Sequence, residues 1–240
     1  MNIYTATFLV LLCLVVFYTF VLYKNVTKSG EKKDNKDIIL DMAVDAMFIA
    51  LILIMNFVPN LGFIAIGSFI SFTLLHIPVL LGAATGGIRR GVLLGLAFGI
   101  SSCVQATQTG GGLNFYFIYP WISILPRVLF GFFAGLTFSL LGKVEKKKKY
   151  GLYLCCACVA LTILHTLLVF GALLIFFGSE IWPLLTSSNP VASTTALTFA
   201  GIIGIGAAGE AVLAGVLVPA IYLALKKAVP NLFRNRKVRR

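Results

Sequence analysis

A chain of 240 residues that is 59% hydrophobic and 12% charged, with mean hydropathy +0.98, holds more apolar surface than a water-soluble fold of this length needs, and reads as a membrane protein. Segments of alternating polarity are absent, which disfavours a transmembrane β-barrel. The net charge of +12 would suit nucleic acid if the basic residues formed one face, but they are parcelled out between apolar runs.

Runs approaching the roughly 20 apolar residues that a spanning helix needs occur near 4–23, 38–58, 66–86, 91–108, 118–142, 151–177 and 197–225. The first begins MNIYTATF, without a basic n-region, and is long for a signal peptide, so residues 1–23 are expected to form an extra N-terminal transmembrane helix. A polar cytoplasmic linker, KNVTKSGEKKDNKD, is expected over 24–37. Its Asn25-Val-Thr27 sequon falls on the wrong side of the membrane for glycosylation. Residues 38–226 then form a membrane domain, and 227–240 a basic cytoplasmic tail.

Charge placement sets the expected orientation. Lys24, Lys28, Lys32, Lys33 and Lys36 separate the first two runs, and Arg89 and Arg90 the third and fourth. Lys143 and the lysines at 146–149 separate the fifth and sixth, and Lys226, Lys227 and the tail come after the seventh. The loops near 59–65, 109–117 and 178–196 hold no lysine or arginine. Every second loop is therefore read as cytoplasmic, with the C-terminus inside. One basic residue of the twenty breaks the pattern: Arg127, inside SILPRVLFGFFAGL.

Ionisable groups at bilayer depth are costly and usually mark a pathway or a binding site. Asp41 and Asp45 open the second helix, where an acidic first turn suits the helix dipole. His76 precedes Pro78, whose missing N–H predicts a kink, and is read as structural. His165 is midway along the sixth run and Glu210 midway along the seventh. Arg127 lies roughly 10–15 Å below the outer end of the fifth, at about 1.5 Å per residue. Two readings of it stand. Either it pairs with Glu210 to lock the bundle, or it faces an outward-opening cavity and holds an anionic or strongly polar solute. GGGLNFYFIYPW (110–121) could fold over such a pocket, with Asn114, Tyr116, Tyr119 and Trp121 as contacts, or its aromatics could form an interfacial belt. Thr162, His165 and Thr166 share one helix face and, with Glu210, suggest a polar floor beneath Arg127. Small residues at Ala46 and Ala50, at Gly131 and Gly135, and through GIIGIGAAGE (201–210) allow close helix approach. Five cysteines in apolar runs, including CCAC at 155–158, read as small hydrophobes rather than a metal site.

No P-loop, H-E-x-x-H or G-x-S-x-G occurs, and only one deep carboxylate, so neither ATP binding by this chain, nor a cofactor, nor intramembrane catalysis is expected. Two similar halves, as in inverted-repeat transporters, are not evident. What remains is a small solute-binding membrane subunit energised from elsewhere, or a membrane scaffold or receptor that carries no solute.

Four blocks, in order, then resemble a known family. DAMFIAL (45–51), SFTLLHIPVLLGAATGGIRRGVLLGLAFGISS (71–102), PWISILPRVLFGFFAGL (120–136) and GEAVLAGVLVPAI (209–221) look like the substrate-binding S components of energy-coupling factor (ECF) transporters. The resemblance covers about residues 38–226. It implies an all-α membrane fold, a six-helix bundle to which the N-terminal helix is an addition, and a vitamin site near the outer face. It also implies partnership with a transmembrane coupling subunit and two ATPases, with Ala46 and Ala50 on the docking surface. The loaded S component of that family topples in the membrane to bring its pocket to the cytoplasm. Pantothenate-type relatives carry a threonine–asparagine–threonine cluster where this chain has LHT with His165, a departure that bears on the substrate. A buried arginine favours a carboxylate or phosphate-like group, which ranks pantothenate first. Vitamin B6 comes second, with folate, cobalamin or a pyrimidine precursor as further alternatives.

Overall fold

The computed structural model describes residues 35–59, 61–66, 70–109, 112–142, 149–186 and 190–229, with side chains described outside 37, 63–72, 109, 112–114, 180–186 and 190–203. The expected helix at 4–23, most of its linker and the basic tail lie outside the described residues. The chain divides into two compact units, Met1–Ala46 and Met47–Arg240. Of the first, residues 35–46 are described, as the opening turns of a helix; the other described elements belong to the second.

Among the described residues, five helices are long and apolar enough to cross a membrane. They are α1 (Asn35–Phe57), α2 (His76–Thr109), α3 (Leu125–Leu141) with the single turn Pro120–Ser123 ahead of it, α4 (Tyr150–Thr186) and α5 (Pro190–Ala228). Large apolar side chains such as Leu167, Ile175, Val212 and Val216 are more than half exposed. That is an aggregation hazard in water and the normal exterior of a helix bundle in lipid.

The expected helix at 66–86 starts ten residues late. Ahead of it, β1 (Phe63–Ile66) and β2 (Ile70–Thr73) pair antiparallel, Phe63 opposite Thr73 and Ile66 opposite Ile70. Phe63, Ile64, Ile66, Ile70 and Phe72 are β-branched or aromatic residues that favour a strand as readily as a membrane helix. Hydropathy alone does not separate the two. Leu74 closes the hairpin by donating its N–H to the Gly62 carbonyl at 2.8 Å. The kink expected at Pro78 is also absent, because Pro78 occupies the first turn of α2, where no intrahelical N–H is lost.

The break lies at Gly87 instead, with φ 71° and ψ −154°, a conformation open essentially to glycine alone. A Cβ on Gly82 would strike the Leu94 side chain, and one on Gly91 would sit 3.2 Å from the Ala83 Cβ. Along a straight helix Gly82 and Leu94 would be about 18 Å apart. The helix therefore doubles back at Gly87, and α2 is two arms, 76–86 and 88–109, standing for the third and fourth expected spans. Arg89 is exposed, as a loop residue would be, but Arg90 is not a solvated loop charge. It is 4% exposed and its Nη1 donates to Thr85 Oγ1 at 3.0 Å across the turn.

The second arm of α2 packs on α3 backbone to backbone. A Cβ on Gly91 would collide with the Gly131 carbonyl oxygen, one on Gly131 with that of Gly91, and one on Gly95 with the Arg127 carbonyl. The small-residue spacing at Gly131 and Gly135 thus marks a true close approach. In the stretch at 201–210, a Cβ on Gly204 or Gly206 would meet nothing within 4 Å.

Candidate solute-binding site

Arg127 stands in the first turn of α3, just after Pro126, and is 6% exposed. Its side chain turns back over Pro120–Ser123. Nη1 donates to the carbonyls of Ile122 at 3.2 Å and Ser123 at 2.7 Å. Those are carbonyls that a turn ending at Ile124 leaves without helical partners. The guanidinium lies 5.0 Å from the Phe98 ring centroid and 5.1 Å from that of Phe117, within cation–π range of both. Its Nε is buried and has no hydrogen-bond partner. Two carbonyls and two aromatic rings hold the cation in place, and part of its donor fork is unused.

Beside it, His165 of α4 is 7% exposed. Its ring centroid lies 4.8 Å from Phe130, 5.7 Å from Phe98 and 6.1 Å from His76, the last nearly parallel at 22°. Neither ring nitrogen of His165 or His76 has a partner in hydrogen-bonding geometry, although the Thr73 backbone lies close to His76. Arg127, Phe98, Phe130, His76 and His165 thus converge from α2, α3 and α4. Ligand pockets combine apolar walls and a few convergent polar groups in this way.

A family model, that of the substrate-specific component of ECF transporters, matches residues 40–222. The chain belongs to that family. It is 30% identical over 206 residues to the pantothenic acid transporter PanT of Lactococcus lactis subsp. cremoris, covering 80% of this chain and 96% of that one. It is also 30% identical over 114 residues to the pantothenate transporter PanT of Leuconostoc mesenteroides subsp. mesenteroides, covering 46% of this chain and 54% of the relative.

Within this S component, the residues singled out from sequence do not all come together in one place. Arg127 and His165 are drawn together around Phe98. Thr162 is fully buried on the face of His165, but its hydroxyl proton goes to the Cys158 carbonyl at 2.9 Å, and that of Thr166 to the Thr162 carbonyl at 3.3 Å. Thr162 therefore has only lone pairs left to offer. Glu210 is not the partner of Arg127. Its Oε1 accepts the Thr73 N–H at 2.6 Å, which joins α5 to β2, and no ion pair links the two among the described residues.

Phe117 of the aromatic stretch faces Arg127, while Tyr116, Tyr119 and Trp121 cluster with Phe177. Tyr119 lies 5.1 Å from Trp121 and 4.9 Å from Phe177, and Tyr116 lies 4.7 Å from Phe177. Phe177 is where α4 departs from helical geometry, with φ −127° and ψ 16°. The 3-10 segment Gly112–Ile118 is also tied to α2 by the Cys103 thiol, which donates to the Ile118 carbonyl at 3.2 Å. The Asn114 side chain lies outside the described residues. Ala46 and Ala50 are both exposed on α1. Cys155, Cys156 and Cys158 are free thiols, and no group of three or more metal-ligating side chains occurs among the described residues.

Sequence reasoning missed Phe98, Phe117 and Phe130, which are ordinary apolar residues in apolar runs and carry no signal of their own. His76, read from sequence as structural, is fully buried beside His165. The one available signal was scarcity: of 240 residues only two are histidine, and the fold stacks them.

Proposed function

We propose that this S component is the high-affinity vitamin-binding membrane subunit of an ATP-driven ECF importer, that its solute is pantothenate, and that Arg127 is the handle for the solute's carboxylate. The observation that carries this reading is the guanidinium buried between two phenylalanine rings with Nε unsatisfied. A buried donor without a partner is costly unless something accepts from it. A carboxylate accepts from a charged donor more strongly than any neutral group does. Two relatives named as pantothenate transporters support the same solute. Vitamin B6 fits less well, because its hydroxyls leave the cation unneutralised.

Charge and surface support the remaining features. The alternation of basic and uncharged loops supports an outward-facing site and a cytoplasmic C-terminus. Exposed Ala46 and Ala50 present small side chains to a partner helix, which suits docking to the transmembrane coupling subunit of a module with two ATPases. The chain itself then needs no catalytic machinery, and the family's transport role is consistent with a non-enzymatic subunit.

The test is calorimetric binding by the purified protein. Pantothenate is compared with pantothenol, in which a hydroxyl replaces the carboxylate, and with pyridoxine. Losing a charge-assisted hydrogen bond costs about 1.5–3 kcal/mol, so pantothenol is expected to bind about 10- to 150-fold more weakly. Equal affinities for the two would overturn the role given to Arg127. Binding of pyridoxine in place of pantothenate would overturn the solute.

A further inference from the structure

The chain's two histidines come from different helices, His76 at the start of α2 and His165 midway along α4, yet their rings lie 6.1 Å apart and nearly parallel. Their four nitrogens are buried without hydrogen-bond partners. Burying a polar group unpaired is unfavourable, and native proteins rarely do it four times in one place. The surroundings can relieve it at one nitrogen of His76 at most. Phe98 and Phe130 are apolar, and the one polar backbone group beside the pair is the Thr73 carbonyl, which faces His76 outside good hydrogen-bonding geometry. Each neutral imidazole has one N–H donor and one lone pair, so even with the His76 N–H turned toward Thr73 the stack offers two lone pairs and the His165 donor.

We propose that His76 and His165 form a second polar subsite, which receives the hydroxyl-bearing end of the solute while Arg127 holds its carboxylate. The inference rests on the solute reading given above. A hydroxyl group both donates and accepts, and so complements an imidazole that does the same. A carboxylate has no proton for the imidazole lone pairs, and an ammonium has no lone pair for the imidazole N–H groups. Phe98, which touches both the guanidinium and the His165 ring, provides an apolar wall between the two polar ends. The site thereby reads the solute's direction as well as its charge. Pantothenate has this layout: a carboxylate at one end, and two hydroxyls flanking a dimethylated carbon at the other.

The experiment pairs ligand and protein changes. The ligands are pantothenate, pantothenol and N-(3,3-dimethylbutanoyl)-β-alanine, which keeps the carboxylate and amide but lacks both hydroxyls. The proteins are the parent, His76→Phe and His76→Asn. The parent is expected to bind the dihydroxyl-free analogue about 10- to 100-fold more weakly than pantothenate, because it leaves buried imidazole groups unpaired. His76→Phe is expected to lose about tenfold or more for pantothenate and little for the analogue, with His76→Asn recovering part of the loss. Equal losses on both ligands would mean that His76 only packs, and would overturn the subsite while leaving the Arg127 reading intact. If pantothenol binds as well as pantothenate, the Arg127 reading falls instead. If the parent binds no pantothenate, both fall.

A mutation-free readout covers the case in which the variants do not fold. With two histidines in the chain, protein labelled with 15N-histidine gives two imidazole spin systems. Saturating pantothenate is expected to move the ring nitrogen resonances of both, and the dihydroxyl-free analogue to leave at least one set near its free position. Movement of only one histidine, or the same movement with both ligands, would refute the pair.

Discussion

Gly99→Ala tests whether the solute site is held by backbone contact between helices. A Cβ at Gly99 would lie 2.7 Å from the Ile124 Cα and 3.1 Å from the Ser123 carbonyl oxygen. Carbon atoms pack without strain at about 3.5–4.0 Å, so the turn ahead of α3 must retreat by about 1 Å. It cannot do so freely, because the Ser123 carbonyl is the one that Arg127 Nη1 holds at 2.7 Å. Overpacking of this kind costs about 1–3 kcal/mol. Loosening a hydrogen bond to a charged group adds about 1.5–3 kcal/mol at most. The expected outcome is a lower melting temperature, followed by tryptophan fluorescence, and pantothenate affinity reduced about tenfold or more by calorimetry. Gly171→Ala is the control, since its Cβ would meet nothing within 4 Å. Gly99→Ala protein with the parent's melting temperature and affinity would show that the turn gives way without cost, and would refute the claim that close helix contact positions Arg127.

Gly87→Ala is expected to destabilise the protein by about 1–3 kcal/mol, because its φ of 71° and ψ of −154° lie in a region essentially closed to residues with a Cβ; an unchanged thermal midpoint would contradict the sharp reversal at that residue. Glu210→Ala leaves the Thr73 N–H without its acceptor and is expected to cost about 1–3 kcal/mol. Hydrogen exchange should then be faster at Thr73 and neighbouring amides of β2 but not along α3. Replacing Ala46 and Ala50 together by leucine is expected to abolish uptake by cells carrying the whole importer while solute binding by the purified subunit persists; uptake that survives would remove these exposed alanines from the docking surface.

Placement of the helices was largely legible, and where it failed the reason is physical. α1, α3, α4 and α5 lie close to the apolar runs at 38–58, 118–142, 151–177 and 197–225, because a lipid-spanning segment must satisfy its own backbone and so announces itself by length and composition. The run at 66–86 misled because Phe63–Thr73 is as hydrophobic as a membrane helix, and strand pairing depends on a partner that a hydropathy window does not see. Arg90 misled for a related reason. Its place between two runs marked a loop, whereas the reversal at Gly87 is so tight that Arg90 folds back onto Thr85.

For the site, Arg127 and His165 stood out from sequence alone because charge and imidazole are rare at bilayer depth. Their surroundings did not. That Glu210 accepts from Thr73 rather than pairing with Arg127, that Phe98 and Phe117 flank the guanidinium and that His76 stacks on His165 are contacts between residues distant in the chain. Local composition determines which segments enter the membrane, since each helix closes its own hydrogen bonds. Only the packing of those helices against one another decides which buried polar groups are satisfied and which are left open to a solute.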